Sequence, residues 1–587
     1  MALFTPSQSP AVVVKEVDAT GGVPNVQTST GAMVGNFRWG PVNQRVLISN
    51  EADLIDTFST PDTTSTIDFH NASYFLRYSN SLQVVRQATA AAKNAHSTTY
   101  KSATTGHGKA GFAAPSIDNK TIFDGNTSMD SDGQTFVARY RGDLGNSLSV
   151  SICPPHSGAF NAWAYKGSFN AAPSSSTLDS GAGGTNTEVH IAVVDKNGVL
   201  SGTKGTVLET YPFVSAATNS KTASGGTNYA KDVINQQSEY IYMVNWDSDY
   251  NAGLAGTAMT STQRTYHAGI TTAVTYSFDS GANSAALGTA EIATGHNLFE
   301  DVEAVEVDFL IAPGMTTTAD QTTVTNDLVA NAVARKDCVV VSSPARDDLI
   351  NVSNETTATT NIVATSDTFT KSDRLVMDGN YLKVYDKFND QYIEIPAASS
   401  TAGLMAETDR VAAPWFSPAG IRRGQYLGVT AINYNPNKTN RDTLYKASVN
   451  PVVNVSGSGV VLFGDKTALR RPSAFDRINV RRLFLTLERA IAQAAKNVMF
   501  EFNDEFTRAE FVNIIEPVLR DVKARRGITD FRVIADETVN TNAVIDRNEF
   551  IANIYIKPAR SINFVTLNFV AVRTGVSFEE VVGTAGV

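Results

Sequence analysis

Cysteine is nearly absent from this chain of 587 residues, in which only Cys153 and Cys338 occur. Two cysteines so far apart in sequence exclude a disulfide framework and the paired spacing of a zinc site. We expect both to be small core residues. All seven histidines lie at or before His296, and none forms the HExxH spacing of a metalloprotease. Catalysis based on histidine is therefore not expected, and no cofactor or metal is predicted.

Long apolar runs are also missing. No stretch approaches the ~18 consecutive apolar residues of a membrane span. The first residues lack a basic region followed by an apolar one, which a secretion signal requires. We therefore expect a protein that is made and used in the cytosol and does not insert into a membrane. Hydrophobic residues make up 42% of the chain, so it can bury cores, and its length suggests roughly three to four domains.

Charge is distributed unevenly along the chain, whose net charge is -10. Residues 456–587 carry 18 Lys and Arg against 16 Asp and Glu, and the remaining residues carry 30 against 42. Nucleic-acid binding requires a strongly basic face, and this chain does not predict one. An acidic outer part and a mildly basic C-terminal part instead suit a soluble exterior and an interior that meets an acidic partner.

Both termini carry apolar segments without a local partner. Pro10–Asp18 has the β-branched pattern of a strand, yet no hairpin turn supplies a neighbour. This strand must pair with a distant part of the chain or with another chain. The tail at 575–587 is also apolar and stays exposed unless something accepts it. The candidate residues for such pairing are Val12, Val13, Val14, Glu16, Val576, Phe578, Val581 and Val582.

The middle of the chain alternates between two compositions. Residues 21–87 and 300–455 show an α/β pattern. It includes a βαβ unit with a helix at Thr325–Lys336 and a strand at Cys338–Val341. Residues 88–299 are rich in Ser, Thr, Gly, Ala and Asn and predict one or two inserted β-rich domains. Asn351–Ser366, rich in Thr and Asn, is expected to be a surface loop.

The last third is the most regular part of the sequence. Apolar spacing predicts a helix over Asp476–Met499. A second helix is expected to open at Thr507, where Glu510 completes a capping box, and to be kinked by Pro517. Three strands should follow, at 528–534, 550–557 and 562–572.

A cluster of cations lies at the start of the first of these helices. Because a helix N-terminus disfavours positive charge, the cluster is either a solvated helix entrance or a contact with an acidic partner. Its five members are Arg470, Arg471, Arg477, Arg481 and Arg482.

Gly459–Thr467 is close to a phosphate-binding P-loop but departs from it in two ways. Asp465 puts a negative charge before the lysine, and the four residues between the glycines are strand formers. We expect a strand that ends in a turn.

The segment Tyr381–Gly420 carries the most informative pattern. It combines turn formers and small residues, which suit close backbone packing, with one large aromatic residue. In order, it contains a strand-like opening, Pro396–Ser400, Ala402-Gly403, Thr408-Asp409, Trp415 and Pro418-Ala419-Gly420. This order resembles the signature of the sheath proteins of contractile phage tails. Two C-terminal segments are also similar to that family, Ile478–Leu483 (INVRRL) and Phe500–Asn503 (FEFN).

The resemblance implies a multidomain α/β and α+β protein with a mixed α/β sheath core formed by N- and C-terminal parts. The implied division is a linking arm at 1–20, a middle domain at 21–87 plus 300–455, outer insertions at 88–299, an inner domain at 456–574 and a second arm at 575–587. The family also implies a non-enzymatic virion protein that polymerises helically around a tail tube and contracts. Its partners would be further copies, the tube, the baseplate and the tail terminator.

On this interpretation the two arms add strands to neighbouring subunits, and the five arginines face the tube or another subunit. Three alternatives stay open. They are the sheath of a phage-derived injection device, a β-rich virion adhesin, and a P-loop or other hydrolase.

Overall fold

The computed structural model describes residues 29–99, 114–126, 135–155, 158–173, 188–215, 218, 220–244, 246 and 272–561. Contacts within the chain divide these residues into two compact units. The larger unit comprises the described residues of 29–414 together with 418–492. The smaller unit comprises 415–417 and 493–561.

Strands and helices are numbered in chain order. The strands are β1 Gly31–Asn36, β2 Arg45–Ile48, β3 Leu82–Gln87, β4 Asn94–Thr99, β5 Phe136–Arg141, β6 Leu148–Cys153, β7 Glu188–Asp195, β8 Thr206–Ser215, β9 Ile241–Met243, β10 Val274–Asp279, β11 Phe309–Ile311, β12 Val339–Ser342, β13 Leu375–Met377, β14 Tyr381–Asp386, β15 Gln391–Pro396, β16 Ala431–Ile432, β17 Val452–Val455, β18 Gly459–Leu462, β19 Ile528–Ile534 and β20 Asn553–Pro558. The helices are α1 Glu51–Phe58, α2 Thr66–Leu76, α3 Lys120–Gly125, α4 Ala159–Ala162, α5 Ala230–Gln237, α6 Thr289–Asn297, α7 Thr318–Arg335, α8 Glu355–Thr368, α9 Ala398–Val411, α10 Lys438–Lys446, α11 Ile478–Lys496, α12 Glu505–Ala524 and α13 Asn542–Ile545.

A six-stranded sheet in the order β13-β12-β11-β1-β3-β2 lies at the centre of the larger unit. Every pair in it is parallel except β2 with β3. The predicted βαβ unit is confirmed: β11 leads through α7 to β12, which pairs in parallel with β11. The helix begins seven residues before the predicted Thr325, because the side chain of Thr317 caps it by accepting a hydrogen bond from Asp320 N.

Both faces of this sheet are buried. Ala32 and Val34 of β1 contribute to a core with α6 and α7, whereas Met33 points to a second core with α2 and α9. Alternate residues of a strand point to opposite faces, so a strand that is covered on both sides is apolar throughout. This explains why all six residues of β1 are buried.

The insertion forms a seven-stranded antiparallel sheet in the order β8-β7-β6-β10-β4-β5-β9. Strands such as β5 and β7 confirm the β-rich composition expected for residues 88–299. Cys153 lies buried and unpaired in this sheet. Cys338 is buried and unpaired next to the six-stranded sheet, so both cysteines are core residues as expected.

Arg86 connects the two sheets. It is completely buried at the end of β3, and its guanidinium donates to the carbonyl oxygens of Phe37 (2.7 Å), Gly40 (2.6 Å) and Arg141 (2.7 Å). Burial lowers its pKa to about 9. Backbone carbonyls from both sides of the junction therefore converge on one cation, which fixes the point where the chain enters the insertion.

The expectation of a surface loop over Asn351–Ser366 is wrong, because α8 occupies most of this segment. The side chain of Asn354 caps the helix by accepting from Thr356 N (2.8 Å). Threonine hydroxyls bond to carbonyls four residues back, as in Thr359 to Glu355 (2.8 Å). Ile362 is fully buried. Tertiary burial of one face therefore overrides the low helix propensity of the Thr-rich sequence.

The smaller unit contains α12, α13 and the antiparallel pair β19–β20. The predicted cap at Thr507 is wrong by three residues, since Asp504 is the cap and accepts from Thr507 N (2.8 Å). Pro517 lies inside α12, as predicted. The predicted strands at 528–534 and 550–557 are confirmed, the second starting at Asn553. The predicted strand at 562–572 lies outside the described residues.

Candidate functional site

The segment Tyr381–Gly420 folds as a hairpin followed by a helix. β14 and β15 pair in antiparallel register, with Tyr381 opposite Pro396, and α9 follows at once. Although Pro396–Ser400 and Ala402-Gly403 contain turn formers, residues from Ala398 onward belong to the helix. Nearly every side chain in its first three turns is buried. The small residues are there to let the helix pack closely on its surroundings.

Gly403 shows how close this packing is. A Cβ atom at this position would lie 2.4 Å from Cδ2 of Tyr78, a distance that real Cβ contacts do not reach. Tyr78 is buried, and its hydroxyl accepts a hydrogen bond from Leu427 N (2.7 Å). The hydrogen bond to its hydroxyl fixes the Tyr78 ring, so the ring cannot move away and position 403 requires glycine. The prediction of close backbone packing is confirmed.

Asp378, just after β13, joins several elements of the larger unit. Its carboxylate accepts from the hydroxyls of Ser343 (2.8 Å) and Thr401 (3.2 Å), and the Ser343 hydroxyl accepts from Ala398 N at the start of α9 (2.9 Å). Complete burial raises the pKa of Asp378 to about 7, although these hydrogen bonds oppose the shift. The hydroxyls of Ser343 and Thr401 are both engaged in structural hydrogen bonds. We therefore interpret Asp378 as a structural residue that links β13 to the start of α9.

Trp415, the large aromatic residue of the segment, belongs to the smaller unit. Its indole N–H donates to the carbonyl of Arg525 (3.2 Å), and the Arg525 guanidinium lies 5.0 Å from the ring centroid. A Cβ on Gly527 would lie 3.0 Å from the ring. The tryptophan thus packs on the turn that follows α12.

Two of the five predicted arginines are buried at the start of α11 and have acidic partners in the same chain. Arg482 forms an ion pair with Asp409, and the two side chains are only 5% and 8% exposed. Arg482 also donates to the carbonyl of Met405 (2.9 Å). Arg481 bonds to Asp373 (3.1 Å) and Glu488 (3.2 Å). The acidic partners of Arg481 and Arg482 therefore come from the same chain.

The other three arginines lie closer to solvent. Arg477 bonds to Asp465 (3.0 Å), Arg470 forms an ion pair with Asp367, and Arg471 is exposed. A role of this cluster in facing the tube or another subunit stays a prediction.

Sequence reasoning missed a third internal pair on α11. Arg489 bonds to Asp308 at the start of β11 (2.7 Å). Burial raises the pKa of Asp308 to about 6 even though the charge of Arg489 opposes this shift. Arg482 and Arg489 are seven residues apart and therefore lie on the same face of the helix. The seven-residue spacing was the signal that could have shown two arginines on one helix face. It could not show which acidic residues they contact, because Asp409 and Asp308 are far away in sequence.

The segment that resembles a P-loop begins with a strand, as predicted, and residues 463–465 after it have no regular secondary structure. β18 ends at Leu462, and the Lys466 ammonium donates to the carbonyl of Tyr445 (2.7 Å). Asp465 accepts from Arg477. The lysine and the aspartate are thus both used in structural contacts.

β19 and β20 form a two-stranded ribbon in the described part of the smaller unit. Along β20 the side chains alternate between exposed and half-buried. The arm residues predicted to add strands to neighbouring subunits, Val12, Val13, Val14, Glu16, Val576, Phe578, Val581 and Val582, lie outside the described residues.

Two further tests concern other classes of protein. Across the described ranges, no group of three or more His, Cys, Asp or Glu side chains has the arrangement of a metal site. No helix in that same part of the chain is both long and apolar enough to cross a bilayer.

Comparison with known proteins gives a consistent result. Residues 286–468 match the model of the phage tail sheath protein central domain, and residues 470–571 match that of the phage tail sheath C-terminal domain. Tail sheath proteins of Vibrio phage KVP40 and Enterobacteria phage T4 are each 32% identical to this chain, over 98% of it and 99% of their own length. A sheath tail protein from Listeria innocua shares the fold, with a TM-score of 0.52 at 11% identity, over 91% of this chain and 93% of its own.

The two family models adjoin at residues 468 and 470, between β18 and α11. The buried helix of the signature segment and the arginines of α11 therefore lie in the parts of the chain that the family models describe. With relatives at 32% identity over almost the entire length, the chain belongs to the phage tail sheath protein family and is a structural subunit of a contractile tail sheath.

Proposed function

We propose that the chain polymerises helically around a tail tube and that the array contracts, driving the tube through the host envelope for genome delivery. The β19–β20 ribbon is the observation that carries this proposal. An isolated pair of strands is marginally stable. Within the described residues no third strand pairs with β19 or β20, so strands from neighbouring copies can add at these edges. A subunit that is completed by its neighbours has a physical reason to assemble.

The added strands come from the two terminal arms, at 10–18 and around 576–582. A nine-residue strand reaches about 30 Å, which is enough to cross between subunits. Each net hydrogen bond contributes on the order of 1 kcal/mol, so two arms hold several kcal/mol per subunit. This keeps the array linked while the compact parts of each subunit rotate and repack.

The division of labour follows the domain boundaries expected from the sequence. The inner domain at 456–574 lines the tube, the middle domain at 21–87 plus 300–455 supports it, and the acidic insertion at 88–299 faces outward. Arg471 is the exposed member of the arginine cluster that contacts another protein on this proposal, whereas Arg470 is already paired with Asp367. The baseplate and the tail terminator bind the two ends of the array.

Contraction requires no cofactor and no catalysis on this proposal. Two packings of the same subunits differ in free energy, and release at the baseplate lets the array pass from one to the other. The subunits assemble in the host cytoplasm and act in the virion tail.

Removal of residues 1–20 tests the proposal. The truncated protein should remain folded by circular dichroism but should fail to form striated tubes in negative-stain electron microscopy. A truncated protein that polymerises and contracts like the full chain would refute the linking role of the arm.

A further inference from the structure

A short stretch of the smaller unit exposes an unusual amount of apolar surface. Within Met499–Phe506, Phe500 is fully exposed, Phe502 is 85% exposed and Phe506 is 76% exposed. We call these eight residues the aromatic tip. Each phenylalanine carries roughly 150–250 Å², so the three together approach or exceed the largest apolar patch that a typical monomer leaves in water. Such a surface marks an interaction site.

The aromatic tip has a defined backbone conformation. Glu501 N donates to the carbonyl of Val498 (3.3 Å), and Asp504 N donates to that of Phe502 (2.9 Å). Phe500 has φ of +71°, a left-handed conformation that bulky residues rarely adopt. Strain of this kind persists where the surrounding structure enforces it, often at functional positions. The rings are therefore presented outward by an ordered turn.

Acidic residues are interleaved with the phenylalanines. Glu501, Asp504 and Glu505 are all exposed, and the aromatic tip contains no cation. A partner surface must therefore be apolar at its centre and basic at its rim, because a neutral or acidic rim would leave these carboxylates desolvated without compensation.

The larger unit carries a surface of this complementary kind. Ile421 and Phe463 are both exposed. The backbone segments that carry them are joined, since Gly420 N donates to the carbonyl of Leu462 (2.8 Å). Arg422 is exposed next to Ile421, and the Arg441 guanidinium lies 5.7 Å from the Phe463 ring centroid. We call Ile421, Arg422, Arg441 and Phe463 the basic patch.

We propose that the aromatic tip of one copy of this chain docks onto the basic patch of the next copy. The two surfaces are different and complementary in charge, so the contact is heterologous. A heterologous contact whose rotation does not close generates an open helical array. This inference rests on the proposed self-assembly and deepens it, because it assigns a subunit contact that is independent of the terminal arms.

Two variants of the full chain test the contact. Phe500→Ser with Phe502→Ser removes the aromatic tip, and Ile421→Ser with Phe463→Ser removes the basic patch. Each should raise the critical concentration for polymerisation, measured by sedimentation, by about tenfold or more, as expected for the loss of two buried apolar side chains.

Mixing the two variants gives a sharper result. A tip variant keeps its basic patch and a patch variant keeps its aromatic tip, so one intact contact forms between them. Because the terminal arms still link the copies, an equimolar mixture should polymerise at a critical concentration below that of either variant alone and above that of the wild type. In addition, Arg422→Glu should be rescued in part by Glu505→Lys on the same chain.

The matched control is Tyr385→Ser with Tyr392→Ser, which removes an exposed aromatic pair that lies in neither surface. This control should polymerise like the wild type, and circular dichroism should show that all variants are folded.

If the wild type polymerises and the tip variant does so at the same concentration, the docking is overturned. A tip variant that polymerises normally but no longer assembles on tail tubes would assign the aromatic tip to the tube instead. A wild type that forms no polymer would refute the proposed self-assembly as well.

Discussion

The buried ion pair between Arg482 and Asp409 is the strongest internal restraint predicted for the start of α11. Arg482→Met removes the cation and leaves the Asp409 carboxylate buried beside an apolar side chain. Loss of one partner from a buried pair typically costs about 3–5 kcal/mol. The neighbouring pair Arg410–Glu407 is the natural comparison, because its arginine is 70% exposed and exposed pairs contribute only about 0–1 kcal/mol.

A local measurement is required, since a chain with two compact units does not have one well-defined unfolding free energy. Native-state hydrogen exchange of the α11 amides reports the free energy of local opening. With tenfold per ~1.4 kcal/mol, Arg482→Met should accelerate exchange at these amides by roughly 150- to 4,000-fold. Arg410→Ala should change it by less than about fivefold.

A double variant separates the charge from the packing. Combining Arg482→Met with Asp409→Leu replaces the ion pair by apolar side chains, which is often neutral or stabilising. Most of the lost protection should therefore return. The reasoning is refuted if Arg482→Met alone leaves exchange unchanged, or if the double variant exchanges as fast as the single one.

The remaining predictions concern the signature segment. Burial keeps Asp378 protonated up to about pH 7, whereas an unfolded aspartate releases its proton near its ordinary pKa of 3.8. Its contribution to stability is therefore present at low pH and lost as the pH rises through about 7. Asp378→Asn stays neutral, so the hydrogen-exchange protection of its α9 amides relative to the wild type should increase from pH 5 to pH 8, and a difference independent of pH would contradict the assignment. Gly403→Ala should lower the protection of the α9 amides, because overpacking against Tyr78 costs about 1–3 kcal/mol and outweighs a helix-propensity gain of about 1 kcal/mol. In the control Gly167→Ala the new methyl group meets nothing within 4 Å, and equal behaviour of the two variants would contradict the packing argument.

Several elements could be predicted from the sequence because their signals are local. β12 and α7 follow from apolar periodicity, and the small residues around Gly403 indicated close packing before any contact was known. The strand that ends at Leu462 follows in the same way, since its residues are strand formers. Periodicity and residue size depend on neighbours in the sequence, and these are visible without a fold.

Other elements could not be predicted because distant residues decide them. The Thr-rich α8 forms since Ile362 and its neighbours are buried by the rest of the larger unit, which no local propensity encodes. The wrong start of α12 is an error of another kind, because the residue that accepts the capping bond, Asp504, lies only three positions before the predicted Thr507. For α8, burial by the rest of the larger unit outweighs the local propensity.

The family, the βαβ framework and the β-rich insertion follow from the amino-acid order alone, because the motif order and the apolar spacing are local features of the sequence. The contacts of the arginines of α11, in contrast, depend on the folded chain. Asp409 and Asp308 lie 73 and 181 positions away from Arg482 and Arg489, respectively, and folding brings them into the same buried layer. A charge cluster in a sequence shows that partners are needed, but only the folded chain shows whether it supplies them itself.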